Sequence, residues 1–248
     1  MGHYLAVDLG AESGRVMLGS LENGRLALEE LHRFANTPVQ LPTGLYWDSF
    51  RLFHEIVQGL GVAGRERGLK AAGIGIDTWG VDFGLLAADG SLIDCPRHYR
   101  DHRTDGVMDK LFEAVPRGEV FGSTGIQFMQ LNSLYQLYAM KLAESPALAA
   151  AEQLLFMPDL LNYWLTGEKR SEYTIASTSM MLDARQRQWA TGILERLNLP
   201  TKILAPIVQP GTVIGPLLAA VAEETGVNPA TKVIAVPSHD TASAVAAI

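Results

Sequence analysis

A strand that ends on a carboxylate and turns, through a few small residues, directly into a second strand sets strong limits on what this 248-residue chain can become. Residues 3–9 form a mostly apolar run, Asp8-Leu9-Gly10-Ala11-Glu12-Ser13-Gly14-Arg15 closes it, and residues 16–21 are apolar again. Glycines let successive backbone N–H groups point into one concavity that suits an anion. A carboxylate at the strand end can hold a divalent cation beside a phosphate, directly or through water. In a Walker A loop or a dinucleotide fold the phosphate loop opens a helix. Here it opens a strand, and no Gly-Lys-Ser/Thr is present, so neither architecture fits. Taken alone, the segment also fits an ordinary hairpin turn with a surface acid.

Asn23-Gly24 is a two-residue hairpin signal and residues 25–34 alternate loosely after it, so three consecutive antiparallel strands are expected. Asp48 reads as a helix cap, with Phe50, Phe53, Ile56, Val57 and Leu60 at helical spacing. Residues 72–76 read as a short buried strand and 81–93 as a hairpin turning at Asp89-Gly90. Helices are expected over 131–142, stopped by Ser145-Pro146, and over 158–165, stopped by Gly167. The hydroxyl-rich stretch 174–179 reads as a loop by composition. Short helices over 189–197 and 217–224 and a buried strand over 232–236 follow. Pro237-Ser238-His239-Asp240-Thr241 then leads into an alanine-rich helix start over 242–248. The chain stops within an apolar helical pattern without a polar cap, and the expectation is the first part of a longer protein.

Composition narrows the function classes. Hydrophobic residues at 48% and charged residues at 19% exclude intrinsic disorder. The net charge of −7 argues against a duplex nucleic-acid partner, which needs a basic face, and says little against a small anionic ligand. The single cysteine, Cys95, excludes an internal disulfide framework and fits a reducing compartment. No apolar run approaches the roughly 20 residues of a membrane span, and no signal-peptide pattern is visible. A cytoplasmic protein without nucleic-acid or membrane partners is expected.

Two further segments carry candidate chemistry. Gly75-Ile76-Asp77-Thr78-Trp79-Gly80-Val81-Asp82-Phe83 puts two carboxylates, an indole and two glycines where a buried strand ends. Such ends line clefts in open α/β sheets, and an indole beside carboxylates suits a sugar. The same residues fit a core tryptophan and a turn-capping aspartate. In Pro237-Ser238-His239-Asp240-Thr241 an acid follows a buried strand at a helix start. There an Asp or Thr N-cap is the common structural role, and a catalytic base at a strand end is the functional one. Gly59-Leu60-Gly61-Val62-Ala63-Gly64 has the dinucleotide glycine spacing but follows a helical pattern, so it reads as a frayed helix end. His54-Glu55 lacks the second histidine of a zinc protease motif, and no cysteine pair exists for zinc. The aromatic stripe from Tyr135 to Tyr138 reads as core, and Arg65, Arg67 and Lys70 as a solvated helix end.

In order and spacing these segments resemble the FGGY carbohydrate kinases from residue 4 to 248. The likeness rests on Asp8-Leu9-Gly10-Ala11 with Ser13-Gly14-Arg15, His32-Arg33-Phe34, Trp47-Asp48, the Trp79 segment and Tyr99-Arg100-Asp101 with Arg103-Thr104. It continues through Ser123-Thr124-Gly125-Ile126-Gln127-Phe128, Leu134-Tyr135-Gln136-Leu137, Met157-Pro158-Asp159, Leu165-Thr166-Gly167 and the segment from Ser238 to Val245. The resemblance implies an α/β, actin-like, ribonuclease-H-type fold, with a mixed sheet that starts with three antiparallel strands and is flanked by helices. It implies that residues 1–248 are the N-terminal, sugar-binding domain, with the C-terminal nucleotide-binding domain absent from this chain. The implied reaction is ATP-dependent phosphorylation of a ketose, L-rhamnulose, at O1, with Mg²⁺, the isolated chain being inactive. Xylulose, fuculose, ribulose and glycerol are alternative substrates, and a non-catalytic sugar-binding module is the alternative class. Carried over residue by residue, Asp240 is the catalytic base and Asp8 the Mg²⁺ anchor. Asp8, Gly10, Ala11, Glu12, Ser13, Gly14 and Arg15 face the ATP phosphates. Trp79, Gly80, Asp82, His239, Asp240 and Thr241 contact the sugar.

Overall fold

Alternation of apolar and polar side chains fixes which face of the main sheet is inside. The structure, a computed structural model, describes residues 2–248. In β1 (Gly2–Leu9) Leu5, Val7 and Leu9 are buried, and in β2 (Ser13–Glu22) Val16 and Leu18 are. β1 and β2 pair antiparallel with Asp8 opposite Arg15, and β3 (Arg25–Ala35) pairs antiparallel with β2 at the sheet edge. β4 (Ala71–Thr78) lies parallel to β1, with Asp77 in register with Asp8. Two more sheet strands come late in the chain, after the short pair β5 (Phe83–Leu86) and β6 (Gln153–Phe156). These are β7 (Val213–Pro216) and β8 (Lys232–Ile234), which give the order β7-β8-β4-β1-β2-β3. β1, β4 and β8 are mutually parallel, so their carboxyl ends open on one edge.

Helices cover the buried face. α1 (Ser49–Gly61) is capped by Asp48, whose side chain accepts from Arg51 N at 3.0 Å. Its Leu52, Ile56 and Leu60 pack on Leu5, Val7, Val16 and Ile76, together with Leu161 and Leu165 of a later helix, α3 (Met157–Thr166). Between them in sequence, α2 (Ser133–Leu142) belongs to a second core, built from Leu134, Tyr135, Leu137, Phe156 and Ile175. The remaining helices used below are α4 (Tyr173–Ser177), α5 (Ala219–Thr225) and α6 (Asp240–Ala246).

The hairpin over 81–93 forms with its turn at Asp89-Gly90: Leu86 bridges Leu92 antiparallel, and Ala87 N donates to Ser91 O and Ile93 N to Leu85 O at 2.9 Å each. Asp89 draws the Ser91 N–H and hydroxyl into the tight turn, and β5, buried at all four positions, pairs in addition with β6. Other local expectations are corrected. The stretch 174–179 is not a loop but contains α4. The hydroxyls of Ser177, Thr178 and Ser179 donate back to the carbonyls of Thr174, Ile175 and Ala176 at 2.7, 2.7 and 2.6 Å. That pattern satisfies carbonyl groups at the helix end, so residues that favour loops by composition close a helix here. The helix expected over 189–197 is shorter, Thr191–Arg196, because Trp189 pairs with Leu182 in a two-residue ribbon.

The end of α1 does not fray. It runs directly into a π-helical turn, Val62–Glu66. A Cβ on Gly59 would overlap Val16, and one on Gly64 would overlap the backbone of Thr225, Gly226 and Val227. These glycines permit close packing of α1 on β2 and on the end of α5. Arg67 pairs with Glu29 at 2.7 Å, and Arg65 reaches the Glu224 carbonyl. Glu55 is buried, held by His32 Nε2 and Arg51 Nε at 2.6 Å each.

Gly64→Ala should therefore destabilise the fold. Overpacking against rigid backbone costs about 1–3 kcal/mol, and the gain in helix propensity offsets only part of it, about 1 kcal/mol. Thermal unfolding should show Tm lowered by several degrees; an unchanged or raised Tm would contradict this packing.

Candidate active site

The carboxyl ends of the three parallel strands hold the candidate side chains. Asp8, one residue before the end of β1, accepts from Arg15 Nε at 2.8 Å and Nη2 at 2.6 Å across the hairpin. The loop between them is closed by Gly10 N donating to Ser13 O at 2.9 Å, and Asn36 Nδ2 donates to Gly10 O at 2.8 Å. Neither Gly10 nor Gly14 has a positive φ, so the loop is not the left-handed nest that its glycines suggest. Gly14 lies within β2, where a Cβ would overlap the Phe34 ring. Its role is to let that ring pack beneath the loop.

Asp77 lies beside Asp8 on the parallel strand. Burial pushes its carboxyl up to about 7, with the Asp8 and Asp240 charges adding and Ser243 and Arg15 opposing. One of its oxygens, Oδ1, is buried without a hydrogen-bond partner. At the end of β4 and beyond β8, Thr78 N donates to Ser238 O at 2.9 Å, and Thr78 bridges His239 in parallel. This extension of the sheet brings His239 and Asp240 to the same edge as Asp8 and Asp77. His239 Nε2 and Asp240 Oδ1 are 3.4 Å apart, and burial lowers the His239 pKa below its ordinary value.

A pocket of about 540 Å³ opens at this edge. Ala11, Trp79, Gly80, His239 and Asp240 line it, so the loop after β1 and the two strand-end segments meet in one space. Val81, Tyr99, Ile126, Met129, Leu131, Asn132, Ser177 and Thr178 complete it. Gly80 packs closely on Thr178: a Cβ there would come within 3.1 Å of Thr178 Cγ2, and that side chain would have to give by a few tenths of an ångström. The next residue, Val81, is held at φ 70°, a left-handed conformation that a β-branched residue rarely adopts. Strain of this kind costs about 1–3 kcal/mol and persists only where neighbours over-determine it. Here Thr178 Oγ1 accepts from Val81 N at 3.0 Å, and Ser133 Oγ donates to Val81 O at 2.5 Å.

Two expected sugar contacts lie elsewhere. Asp82 is 1% exposed and stands behind the pocket wall. Its Oδ2 accepts from Trp47 Nε1 at 2.6 Å, Trp79 Nε1 at 3.0 Å and Tyr99 N at 3.1 Å, and its Oδ1 from Gln136 Nε2 at 2.9 Å. Burial pushes its pKa up to about 6 against the hydrogen bonds of Trp47, Gln136 and Trp79. Asp82 thus fixes the Trp47 and Trp79 rings, tilted at 36° with centroids 4.0 Å apart, and touches no ligand space itself. Thr241 is exposed and off the pocket wall, its N–H and hydroxyl both directed to Asp240 Oδ1.

The donor set fits phosphate-bound Mg²⁺ better than a metal cage. Among the described residues no group of three His, Cys, Asp or Glu could hold a metal ion. Arg15 occupies Asp8 Oδ2, which leaves Oδ1 for a hydrated ion held mainly by phosphates.

The chain matches the FGGY family of carbohydrate kinases, N-terminal domain, over residues 3–247. It is 46% identical over 246 residues to a rhamnulokinase of Bacteroides thetaiotaomicron, covering 99% of this chain and 50% of that protein. A rhamnulokinase of Oceanobacillus iheyensis is 41% identical, with 98% and 51% covered. The chain thus spans about half the length of the curated relatives it matches. The fold superposes on a gluconate kinase from Lactobacillus acidophilus with a TM-score of 0.84 at 19% identity, covering 96% of this chain and 48% of the other. A carbohydrate kinase from Novosphingobium aromaticivorans gives 0.82 at 25%, with 95% and 48% covered. No helix among the described residues is long and apolar enough to cross a membrane.

The raised Asp77 pKa has a definite sign in stability. The folded state holds this proton more tightly than the unfolded chain, so stability falls as pH rises from about 4, where a free carboxyl ionises, to about 7. Asp77→Asn should flatten that fall. Without added metal, its Tm should exceed wild type at pH 8 and match it near pH 4. Equal differences at both pH values would contradict the buried, unpartnered carboxyl.

Proposed function

The chain belongs to the FGGY family of carbohydrate kinases, as an N-terminal domain, and on that footing we propose that it forms the sugar-binding half of an enzyme that transfers the γ-phosphoryl group of ATP to O1 of L-rhamnulose. The products are L-rhamnulose 1-phosphate and ADP. The observation that carries the reading is the shared pocket: His239 and Asp240 line it together with Trp79 and Gly80 of the neighbouring strand end and with Ala11 of the loop after β1. The substrate follows from relatives that bear the name rhamnulokinase across this whole chain. Because those relatives are twice as long, a second domain is proposed to supply the remaining nucleotide wall.

Phosphoryl transfer depends on positioning and charge neutralisation more than on covalent help. Trp79 offers the sugar an apolar wall held rigid from behind by Asp82. His239, with its pKa lowered, is neutral near pH 7 and can exchange hydrogen bonds with sugar hydroxyls. Asp240 accepts the proton of the attacking hydroxyl; in a loose transition state that proton leaves late, so orientation counts for more than basicity. Thr241 steadies the Asp240 carboxylate through two donors. The Arg15 side chain and the turn at residues 10–12 between β1 and β2 face the phosphates, the N–H groups of Gly14 and Arg15 lying in a strand paired on both sides. Mg²⁺ bound with ATP would neutralise phosphate charge, its water shell held by Asp8.

In the two-domain protein, Asp240→Asn should lower kcat by about two orders of magnitude or more, while the sugar dissociation constant stays within a few fold. Coupled ADP release and calorimetric sugar titration measure the two. Undiminished turnover would remove Asp240 from the base role. In the same assay kcat/KM should be highest for L-rhamnulose among L-rhamnulose, D-xylulose, L-fuculose and glycerol; a higher value for another polyol would reassign the substrate.

A further inference from the structure

We infer that Glu172 is a positioning residue for the proposed phosphoryl transfer, holding His239 and Asp240 in place through one turn of helix that also anchors Val81 beside the pocket. This rests on the reading of Asp240 as the base.

Glu172 is fully buried. Its Oε1 accepts from Thr174 N at 2.8 Å, and its Oε2 accepts from Thr174 Oγ1 at 2.6 Å, Ile175 N at 3.1 Å and Ser238 N at 3.0 Å. Three of these donors open α4. The fourth belongs to the peptide immediately before His239. Thr174 Oγ1 in turn accepts from His239 N at 3.3 Å. The backbone of Glu172 is itself fixed, its N–H donating to Asp159 Oδ1 of α3 at 3.0 Å.

The other end of the same turn holds Val81 and Asn132, which also line the pocket. Thr178 Oγ1 accepts from Val81 N at 3.0 Å, and Thr178 O accepts from Asn132 Nδ2 at 3.3 Å. Ser177 and Thr178 also line the pocket. The segment from Glu172 to Thr178 is therefore bonded both to the peptides on either side of Ser238 and to Val81, adding a second tie to the direct Thr78 N–Ser238 O bond between the two strand ends.

No cation lies within ion-pair distance of Glu172 among the described residues, so its carboxylate serves N–H and O–H donors alone. A glutamine has one acceptor oxygen for four converging donors, and its NH₂ would face either Thr174 N or Ser238 N. The loop carrying His239 and Asp240 would shift to relieve that conflict. Misplacing a reacting group by about 1 Å can cost roughly 100-fold in rate.

The test compares Glu172→Gln, Thr174→Val and Asp240→Asn in the two-domain kinase, with kcat, KM for sugar and for ATP, and thermal unfolding measured for each. Glu172→Gln should lower kcat per folded molecule at least tenfold and leave KM for ATP within twofold, since the loop after β1 is untouched. Thr174→Val keeps the side-chain shape, deletes only the hydroxyl between Glu172 and His239 N, and should lower kcat at least threefold. It decides the matter alone should Glu172→Gln fail to fold. A lowered Tm with kcat per folded molecule within twofold of wild type would mean a merely structural role and overturn the inference. Loss of turnover in Asp240→Asn beside full turnover in the other two would overturn the inference and leave the proposed base standing. Full turnover in Asp240→Asn would overturn both.

Discussion

The parallel alignment of three chain ends is the constraint on which the rest of the molecule depends. β1 and β4 run in register, and a single bridge at the end of β4 continues the alignment to His239. Residues far apart in sequence, Asp8, Asp77 and Asp240, therefore come to one edge. Burial above all raises the pKa of Asp77, and repulsion from the neighbouring Asp8 and Asp240 carboxylates adds to it. Arg15 offsets part of it by pairing with Asp8. An edge with surplus negative charge attracts cations and proton donors, which suits phosphate-bound Mg²⁺ and a sugar hydroxyl.

A rigid backing supports this edge. Asp82 accepts four N–H donors in the interior and so sets the angle of two indoles. Glu172 likewise accepts four donors and ties the start of α4 to the peptide before His239. In both cases a buried carboxylate that would be costly alone is satisfied by convergent donors. The strained backbone at Val81 sits between these two hubs, pinned on its N–H by Thr178 and on its carbonyl by Ser133.

Much of this was legible in the sequence, because the physical signals are local. Alternation and Asn23-Gly24 specify the three antiparallel strands, and Asp48 specifies the start of α1. The convergence of the Asp8, Trp79 and His239 segments followed from strand ends sharing an edge. What was hidden depends on partners remote in sequence. The hydroxyls of 174–179 look like loop chemistry until their carbonyl partners are known, so Ser177 and Thr178 were not read as pocket residues. Asp82 sits two residues beyond Gly80, yet the left-handed turn at Val81 sends it behind the wall. The glycines of the loop after β1 and of the α1 end signal backbone freedom, whereas Gly14, Gly59 and Gly64 serve close packing.

A crystal structure of the two-domain protein with L-rhamnulose bound tests the central claim most directly. The account predicts the sugar between Trp79-Gly80 and His239-Asp240, with its O1 hydroxyl about 2.6–3.2 Å from the Asp240 carboxylate. A sugar seated outside this pocket, or one whose O1 points away from Asp240, would contradict it.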